Sequence, residues 1–265
     1  MTDMTTSKSY SELIQARSDG VATLRFNRPD ARNAMNPSMR DALMAALGRL
    51  AADDTTRAVI LRGNGDSFVA GGDLNAFAET LQMDPETRRR NFHERVTVSS
   101  TLVEQLIDFP KPLIAVIEGD AAGAGISIAL CCDFVIASTN ARLSFAHAHV
   151  GLALDLGLSY FLPRIAGTLQ AKRLAMLGAR ITAKEAFALG LITTLAEQNS
   201  VDAELDELLK SLSRIPVTAL AGIKRELRHS DGNNLSAQLS LEADEVAACA
   251  KTEAFAERVA SFFGR

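Results

Sequence analysis

Apolar and polar residues alternate near the start of the chain, and further along, the apolar residues gather into short runs. Residues 12–17 and 21–26 alternate on either side of Ser18-Asp19-Gly20, which predicts a β-hairpin. Asn36-Pro37 then supplies an N-cap and a first-turn proline. A helix is therefore predicted from this point to about Leu50.

Three later apolar runs predict strands, at residues 58–62, 113–118 and 134–137, with helical patterns in the intervals. This alternation predicts an α/β fold. Residues 80–90 are polar, with a break at Asp84-Pro85, and we interpret them as a solvated helix start rather than a mobile lid.

From about Val201 the pattern is helical only. We therefore expect a core of residues 1–200 and a C-terminal all-helical segment, 201–265. The first of these helices carries an apolar stripe that exceeds what one helix needs to cover its own domain, which predicts packing between subunits, with packing inside the chain as the alternative. The stripe includes Leu205, Leu208, Leu209 and Leu212.

Composition narrows the functional classes. The 265 residues are 47% hydrophobic and 23% charged, as in an ordinary globular protein, and the net charge of −4 gives no general reason to expect nucleic-acid binding. The polar N-terminus predicts no signal peptide, and Glu118 and Asp120 interrupt the apolar run at 113–132, which argues against a membrane span. These features predict a cytoplasmic protein.

Cysteine and histidine spacing predicts neither a disulfide framework nor a metal site. The three cysteines are odd in number, and Cys131-Cys132 lie in an apolar helical run, which favours buried thiols. His147 and His149 are two residues apart with no second ligand pair nearby in sequence.

Two segments rich in small residues follow strand-like runs. They are Val69-Ala70-Gly71-Gly72-Asp73 and Ala122-Gly123-Ala124-Gly125. A helix start leaves backbone N–H groups unpaired and carries partial positive charge, and small residues let an anionic oxygen approach them. Two such N–H groups could form an oxyanion hole, although each segment alone is equally typical of a tight turn.

The two segments belong to a longer series of motifs. Phe26-Asn27-Arg28-Pro29 with Asn33-Ala34 precedes them, and Pro163-Arg164 and residues 183–191, ending in Gly190-Leu191, follow. From about Val21 to the C-terminus this series resembles the crotonase superfamily, the enoyl-CoA hydratase/isomerase family. The resemblance implies a spiral of repeated ββα units, C-terminal helices that pack into homotrimers or homohexamers, and acyl-CoA thioesters as substrates. Coenzyme A then enters as part of the substrate, with no permanently bound cofactor.

The resemblance also implies an assignment of catalytic residues. The oxyanion donors would be the N–H groups of Gly72 and Ala124. Hydratases of the family carry two glutamates at the positions of Ser127 and His147, and adding water across a double bond needs such an acid and base. Their absence argues against simple hydration.

Asp155 lies where dienoyl-CoA isomerases and ring-epoxide isomerases of this family carry a catalytic aspartate. One carboxylate can move a proton between two carbons, so Asp155 is predicted to be a proton shuttle. Asp155 could instead be a helix N-cap. His147 is interpreted as a hydrogen-bonded wall residue, with a base near neutrality as the alternative, and Ser127 as a packing residue.

Coenzyme contacts are expected along the first loop and around the oxyanion segments. These contacts are Arg28, Arg32, Ala70, Gly72, Asp73, Ala124 and, from a neighbouring subunit, Arg258. Guanidinium groups suit phosphates, although a solvated arginine on a polar turn is the alternative for Arg28 and Arg32. The acyl pocket is expected to be lined by Phe77, Phe92, Ile126 and Leu154, and His93 receives no role.

The pattern as a whole predicts an isomerase of fatty acid or related acyl-CoA metabolism. It would shift a double bond or rearrange a ring epoxide through an enolate held in the oxyanion hole. Two alternatives stay open: an enoyl-CoA hydratase, which is a lyase, and a catalytically silent acyl-CoA-binding protein.

Overall fold

The computed structural model describes residues 9–10 and 12–264. The first eight residues, most of the segment for which no signal peptide is predicted, lie outside this part. The described strands are β1 (Ser9–Tyr10), β2 (Leu13–Ser18), β3 (Val21–Phe26), β4 (Ala58–Gly63), β5 (Leu113–Ile117), β6 (Asp120–Ala122), β7 (Phe134–Ser138), β8 (Arg142–Ser144), β9 (Arg180–Thr182) and β10 (Thr194–Ala196).

The described helices surround these strands and form the whole C-terminal part. They are α1 (Pro37–Ala52), α2 (Leu74–Ala78), α3 (Pro85–Ile107), α4 (Ala124–Leu130), α5 (Leu158–Ala166), α6 (Thr168–Met176), α7 (Ala183–Ala188), α8 (Val201–Ser213), α9 (Val217–His229), α10 (Leu235–Ala250) and α11 (Glu253–Phe262).

The larger sheet has the order β1-β2-β3-β4-β5-β7-β10. The predicted hairpin is β2 and β3, and β3, β4, β5, β7 and β10 pair in parallel. The short strands β6, β8 and β9 form a second sheet. β5 leads into the short strand β6 and then α4, and β7 leads into the short strand β8 and then α5. The predicted α/β fold with a crotonase-like spiral is thus confirmed.

The helix starts predicted from the sequence are confirmed in atomic detail. The side-chain oxygen of Asn36 accepts a hydrogen bond from the Met39 N–H at 2.8 Å, with Pro37 in the first turn of α1. Asp84 caps α3 in the same way through the Thr87 N–H, at 3.0 Å, and this bond holds the pKa of Asp84 below its ordinary value. Residues 85–90 are therefore a helix start, as interpreted.

The sheet is covered on both faces. One face carries the main core, which includes buried side chains of α1, α3 and α4. The other face presents Ile60, Ile114, Val116 and Ile136 to α8. A parallel strand that is buried on both faces has a continuous apolar sequence, and β5 is an example.

The stripe on α8 packs within its own chain, which was the alternative to subunit packing. Leu205 and Leu212 are buried against the sheet of the same chain, and Leu208 and Leu209 pack beside them. Arg62 reinforces this contact, because its guanidinium bonds to Glu118 at 2.6 Å and to Asp202 of α8 at 2.7 Å. The second face of the sheet needed a cover, which the sequence pattern of one helix could not reveal.

The three cysteines are free. Cys131 is buried, as predicted, and burial raises the pKa of its thiol to about 12. In the described part of the chain no group of three His, Cys, Asp or Glu side chains could hold a metal ion. No helix among the described residues is both long and apolar enough to cross a bilayer.

Candidate active site

The two segments rich in small residues lie side by side. The Ala122 N–H donates to the carbonyl of Val69 at 2.9 Å, and the Phe68 N–H donates to that of Asp120 at 2.9 Å. The segments follow β4 and β5, which are parallel neighbours in the sheet. Their carboxyl ends therefore bring both segments to the same edge.

Two glycines allow this close approach. At Gly125 an added Cβ would lie 2.1 Å from the Val69 carbonyl oxygen, a distance that no side chain could occupy. Gly123 adopts φ +46° and ψ −113°, which disfavours residues with a Cβ, and an added Cβ there would lie 3.5 Å from the Cα of Gly71. The contact thus requires both residues to be glycine.

The N–H groups of Gly72 and Ala124 have no hydrogen-bond acceptor among the described backbone carbonyls. Both residues line a cavity of about 540 Å³. Ala124 begins α4, where the unpaired N–H groups carry partial positive charge. This geometry supports the prediction that the two groups bind one oxyanion.

The first oxyanion segment is anchored by Arg28. Its guanidinium bonds to the Ala34 carbonyl and to Asp73 at 2.8 Å, and it pairs with Glu12 at 3.2 Å. Asp73 also caps α2 through the Asn75 N–H at 3.0 Å. Burial alone would raise the pKa of Asp73, but the bonds from Arg28 and Asn75 bring it below its ordinary value.

Arg28 is therefore not a solvated arginine on a polar turn, and that alternative is wrong. Arg32 is exposed, and its carbonyl accepts the Ala70 N–H at 3.1 Å. The guanidinium of Arg258 bonds to the Arg214 carbonyl of the same chain. The contacts of Arg28, Arg32, Ala70, Asp73 and Arg258 with coenzyme A stay predictions.

The cavity between the oxyanion segments and α3 is mostly apolar. Phe77, Phe92 and Leu154 line it as expected. Ile126 does not; it is fully buried in the main core, because it points from α4 away from the cavity. The ionisable residues of the lining are His93, Arg95, His147 and Asp155.

His147 and Asp155 form a hydrogen-bonded pair. Nε2 of His147 lies 3.0 Å from a carboxylate oxygen of Asp155. The imidazole is 8% exposed and the carboxylate 32%, so the carboxylate is the more accessible partner. An added Cβ at Gly123 would lie 3.5 Å from Cε1 of His147, which places the ring against the turn that begins α4.

The N-cap alternative for Asp155 is wrong. The N-cap of α5 is Gly157, and the Leu158 N–H bonds to the backbone carbonyl of Asp155, not to its side chain. Leu156 adopts φ +47°, a left-handed conformation that is costly for a leucine. The chain reverses here so that the Asp155 side chain meets His147 instead of the helix.

Ser127 is fully buried on α4 and outside the cavity lining of the described chain. Its hydroxyl lies 3.5 Å from the Gly123 carbonyl, in agreement with the packing interpretation. The first glutamate position of the hydratases is therefore occupied by a residue that does not reach the cavity.

His93 and Arg95 in the lining were missed by sequence reasoning. Both lie on α3, where Phe92, Arg95, Val96 and Ser99 follow helical spacing on the cavity side. That spacing was a usable signal, but the long polar stretch before it gave no reason to assign this face to a cavity.

Comparisons with known proteins agree with this geometry. The family model for enoyl-CoA hydratase/isomerase matches residues 16–265. The 1,2-epoxyphenylacetyl-CoA isomerase of Escherichia coli K12 is 34% identical, with 93% of each chain covered. A probable enoyl-CoA hydratase of Rhodobacter capsulatus is also 34% identical, over 96% of this chain and 95% of that protein.

A solved structure of an enoyl-CoA hydratase/isomerase from Marinobacter aquaeolei superposes with a TM-score of 0.89 at 29% identity, covering 96% of this chain and 97% of that one. The chain belongs to the enoyl-CoA hydratase/isomerase family. The two adjacent segments rich in small residues agree with the fold and the acyl-CoA chemistry of this family.

The contact at Gly125 yields a matched test. We expect Gly125→Ala to lower turnover at least about 100-fold, the size of effect seen on loss of one oxyanion donor, because its Cβ must push Val69 away. Gly48→Ala is the control, since it also lies inside a helix and its Cβ would meet only Gln105 at 3.6 Å. That variant should gain about 0.5–1 kcal/mol of stability. Steady-state kinetics of both variants measures turnover, and urea unfolding measures stability. A fully active Gly125→Ala enzyme would contradict the close contact between Gly125 and Val69.

Proposed function

We propose that the protein is an acyl-CoA isomerase that moves a proton with Asp155 while Gly72 and Ala124 bind the thioester oxygen. The observation that carries this proposal is a series of contacts that links the second oxyanion segment to Asp155. The turn that begins α4 packs against His147, and His147 bonds to Asp155 at 3.0 Å. A carboxylate thus lies in the same cavity as the two unpaired N–H groups.

The proposed reaction needs one base. With a β,γ-unsaturated thioester, the free oxygen of Asp155 removes a proton from the α carbon, and the electron pair moves onto the thioester oxygen as a dienolate. The oxyanion donors stabilise this charge more than the neutral carbonyl, which lowers the barrier. Asp155 then returns the proton to the γ carbon, leaving the double bond between the α and β carbons. The same enolate-stabilising site suits rearrangement of a ring epoxide.

His147 orients the shuttle in this proposal. An ionised carboxylate only accepts hydrogen bonds, so Nε2 carries the proton of the imidazole when Asp155 is ionised. Nδ1 is buried and has no partner in the described part of the chain. Nε2 is therefore the ring nitrogen through which His147 can hold the Asp155 carboxylate in position.

Hydration is the second candidate, because His147 and Asp155 supply two ionisable groups in one cavity. It would need one of them to activate water while the other delivers a proton. A silent acyl-CoA-binding protein is the third reading, with affinity but no turnover.

We expect conversion of a β,γ-unsaturated acyl-CoA to its α,β isomer to be faster than hydration of crotonyl-CoA. The reason is that the cavity holds one accessible carboxylate, which is enough for isomerisation, while the residue at position 127 is a buried serine that cannot act as a second acid or base. Product analysis of both reactions by liquid chromatography measures the two rates. Faster hydration would favour the second candidate, and binding without either reaction the third.

Substitutions can distinguish the role of Asp155 from that of His147. Asp155→Asn preserves shape but removes the base, so isomerisation should fall by roughly 10²–10⁴ while acyl-CoA affinity is kept. His147→Gln retains a donor, and activity should stay within about tenfold on that same scale. Kinetics on a β,γ-unsaturated thioester measure both. An active Asp155→Asn enzyme beside an inactive His147→Gln enzyme would transfer the base to His147.

We also propose assembly into homotrimers or homohexamers in the cytoplasm. The support for assembly lies on α9 and α10 rather than α8, since Leu227, Leu235 and Val246 are 65–74% exposed. Light scattering at micromolar concentration should give a trimer or hexamer mass. A monomer mass would contradict the assembly and the contact of Arg258 with a neighbour's coenzyme.

A further inference from the structure

A positively charged side chain without a carboxylate partner lines the active-site cavity. Arg95 lies on α3, half-buried, in the same lining as Ala124 and Asp155. Within the described chain, none of the ion pairs involves Arg95. Its one hydrogen bond in that part goes to the Ala76 carbonyl, at 3.3 Å.

Two aromatic rings hold this guanidinium in place. Its central carbon lies 5.2 Å from the centroid of Phe77 and 5.8 Å from that of Phe92, and the two rings are 5.1 Å apart. Stacking on rings leaves the edge of a guanidinium free, and that edge carries its donors. The side chain is thus positioned with a single hydrogen bond, to the Ala76 carbonyl, and most of its N–H donors have no acceptor in the described part of the chain.

The charges that line the cavity favour binding of an anion beside Arg95. Among the described residues, the sole carboxylate of the cavity lining is that of Asp155, which is bonded to His147. A neighbouring groove shares Phe77 and Phe92 with the cavity and contains Arg88, whose guanidinium bonds only to backbone carbonyls of the described chain. The α3 wall therefore presents positive charge that no carboxylate of the described chain neutralises.

We propose that Arg95 selects acyl-CoA substrates that carry a second carboxylate at the far end of the acyl group. This inference rests on the proposed function, because it places the thioester carbonyl at Gly72 and Ala124. The acyl group begins at that carbonyl, whereas the phosphates of coenzyme A are separated from it by the whole pantetheine arm. A carboxylate on the acyl group is thus the anion that can reach a cation inside the same cavity.

The preference has a physical basis. A guanidinium can bind a carboxylate through two parallel N–H···O bonds, and such charge-assisted bonds are stronger in an apolar cavity than in water. A methyl group at the same position would exclude solvent from the guanidinium and offer its remaining N–H groups no acceptor. The expected difference is at least about tenfold in affinity.

The test compares saturated thioesters, which bind but do not react. Calorimetry on the wild-type enzyme should show tighter binding of adipyl-CoA or suberyl-CoA than of hexanoyl-CoA or octanoyl-CoA. Arg95→Gln should abolish this preference, and Arg95→Lys should keep part of it. Arg90→Gln is the matched control, because Arg90 has the same charge on the same helix, is exposed and bonds to Thr87. It should bind like the wild type.

Three results would overturn the inference: equal binding of both classes by the wild type, a preference that survives Arg95→Gln, or an equal loss of both classes in that variant. Circular dichroism and the Arg95→Lys variant distinguish misfolding from loss of the cation. The binding data are independent of turnover. A dicarboxylate preference without isomerisation would overturn the proposed function alone, and isomerisation without the preference would overturn this inference alone.

Discussion

The hydrogen bond from the Ala122 N–H to the Val69 carbonyl is the contact on which the rest of the site depends. It joins the loops after β4 and β5, and these strands pair in parallel. Because Gly125 has no side chain, α4 can begin directly against the first loop. The N–H groups of Gly72 and Ala124 consequently open into one cavity, although 51 residues separate them along the chain. Donors fixed before the substrate arrives need no reorganisation during the reaction.

Charged side chains next to the first loop stabilise its position. Arg28 is bonded to both Asp73 and Glu12, so one guanidinium bridges two carboxylates and ties the first loop to its helix. Removing Arg28 would leave Asp73 and Glu12 partly buried without a cation, so the cluster holds the loop in place because its partners depend on one another. In front of the loops, His147 satisfies one oxygen of Asp155 and leaves the carboxylate accessible from the cavity.

The ionisable pair of this site lies away from position 127, where the family resemblance places the first glutamate of the hydratases. Ser127 is buried and outside the lining of the described cavity, whereas His147 has a partner eight residues later. The left-handed Leu156 and the cap at Gly157 turn the Asp155 side chain away from α5. Arg95 lines the same cavity as Asp155, and the proposed proton transfer gives its charge no role, which is why we propose that it selects the acyl group.

The amino-acid sequence by itself determined the elements and the family. The hairpin, the capped start of α1 and the small-residue segments are local features, since periodicity, capping and backbone freedom act over a few residues. Asp155 was found through its position in the family motif, not through its surroundings. Only the tertiary structure decided that Asp155 meets His147 rather than capping a helix, that Ile126 belongs to the core, and that α8 covers its own sheet. These outcomes depend on contacts between residues far apart in the chain, and the packing that selects among them leaves no periodic signal in the sequence.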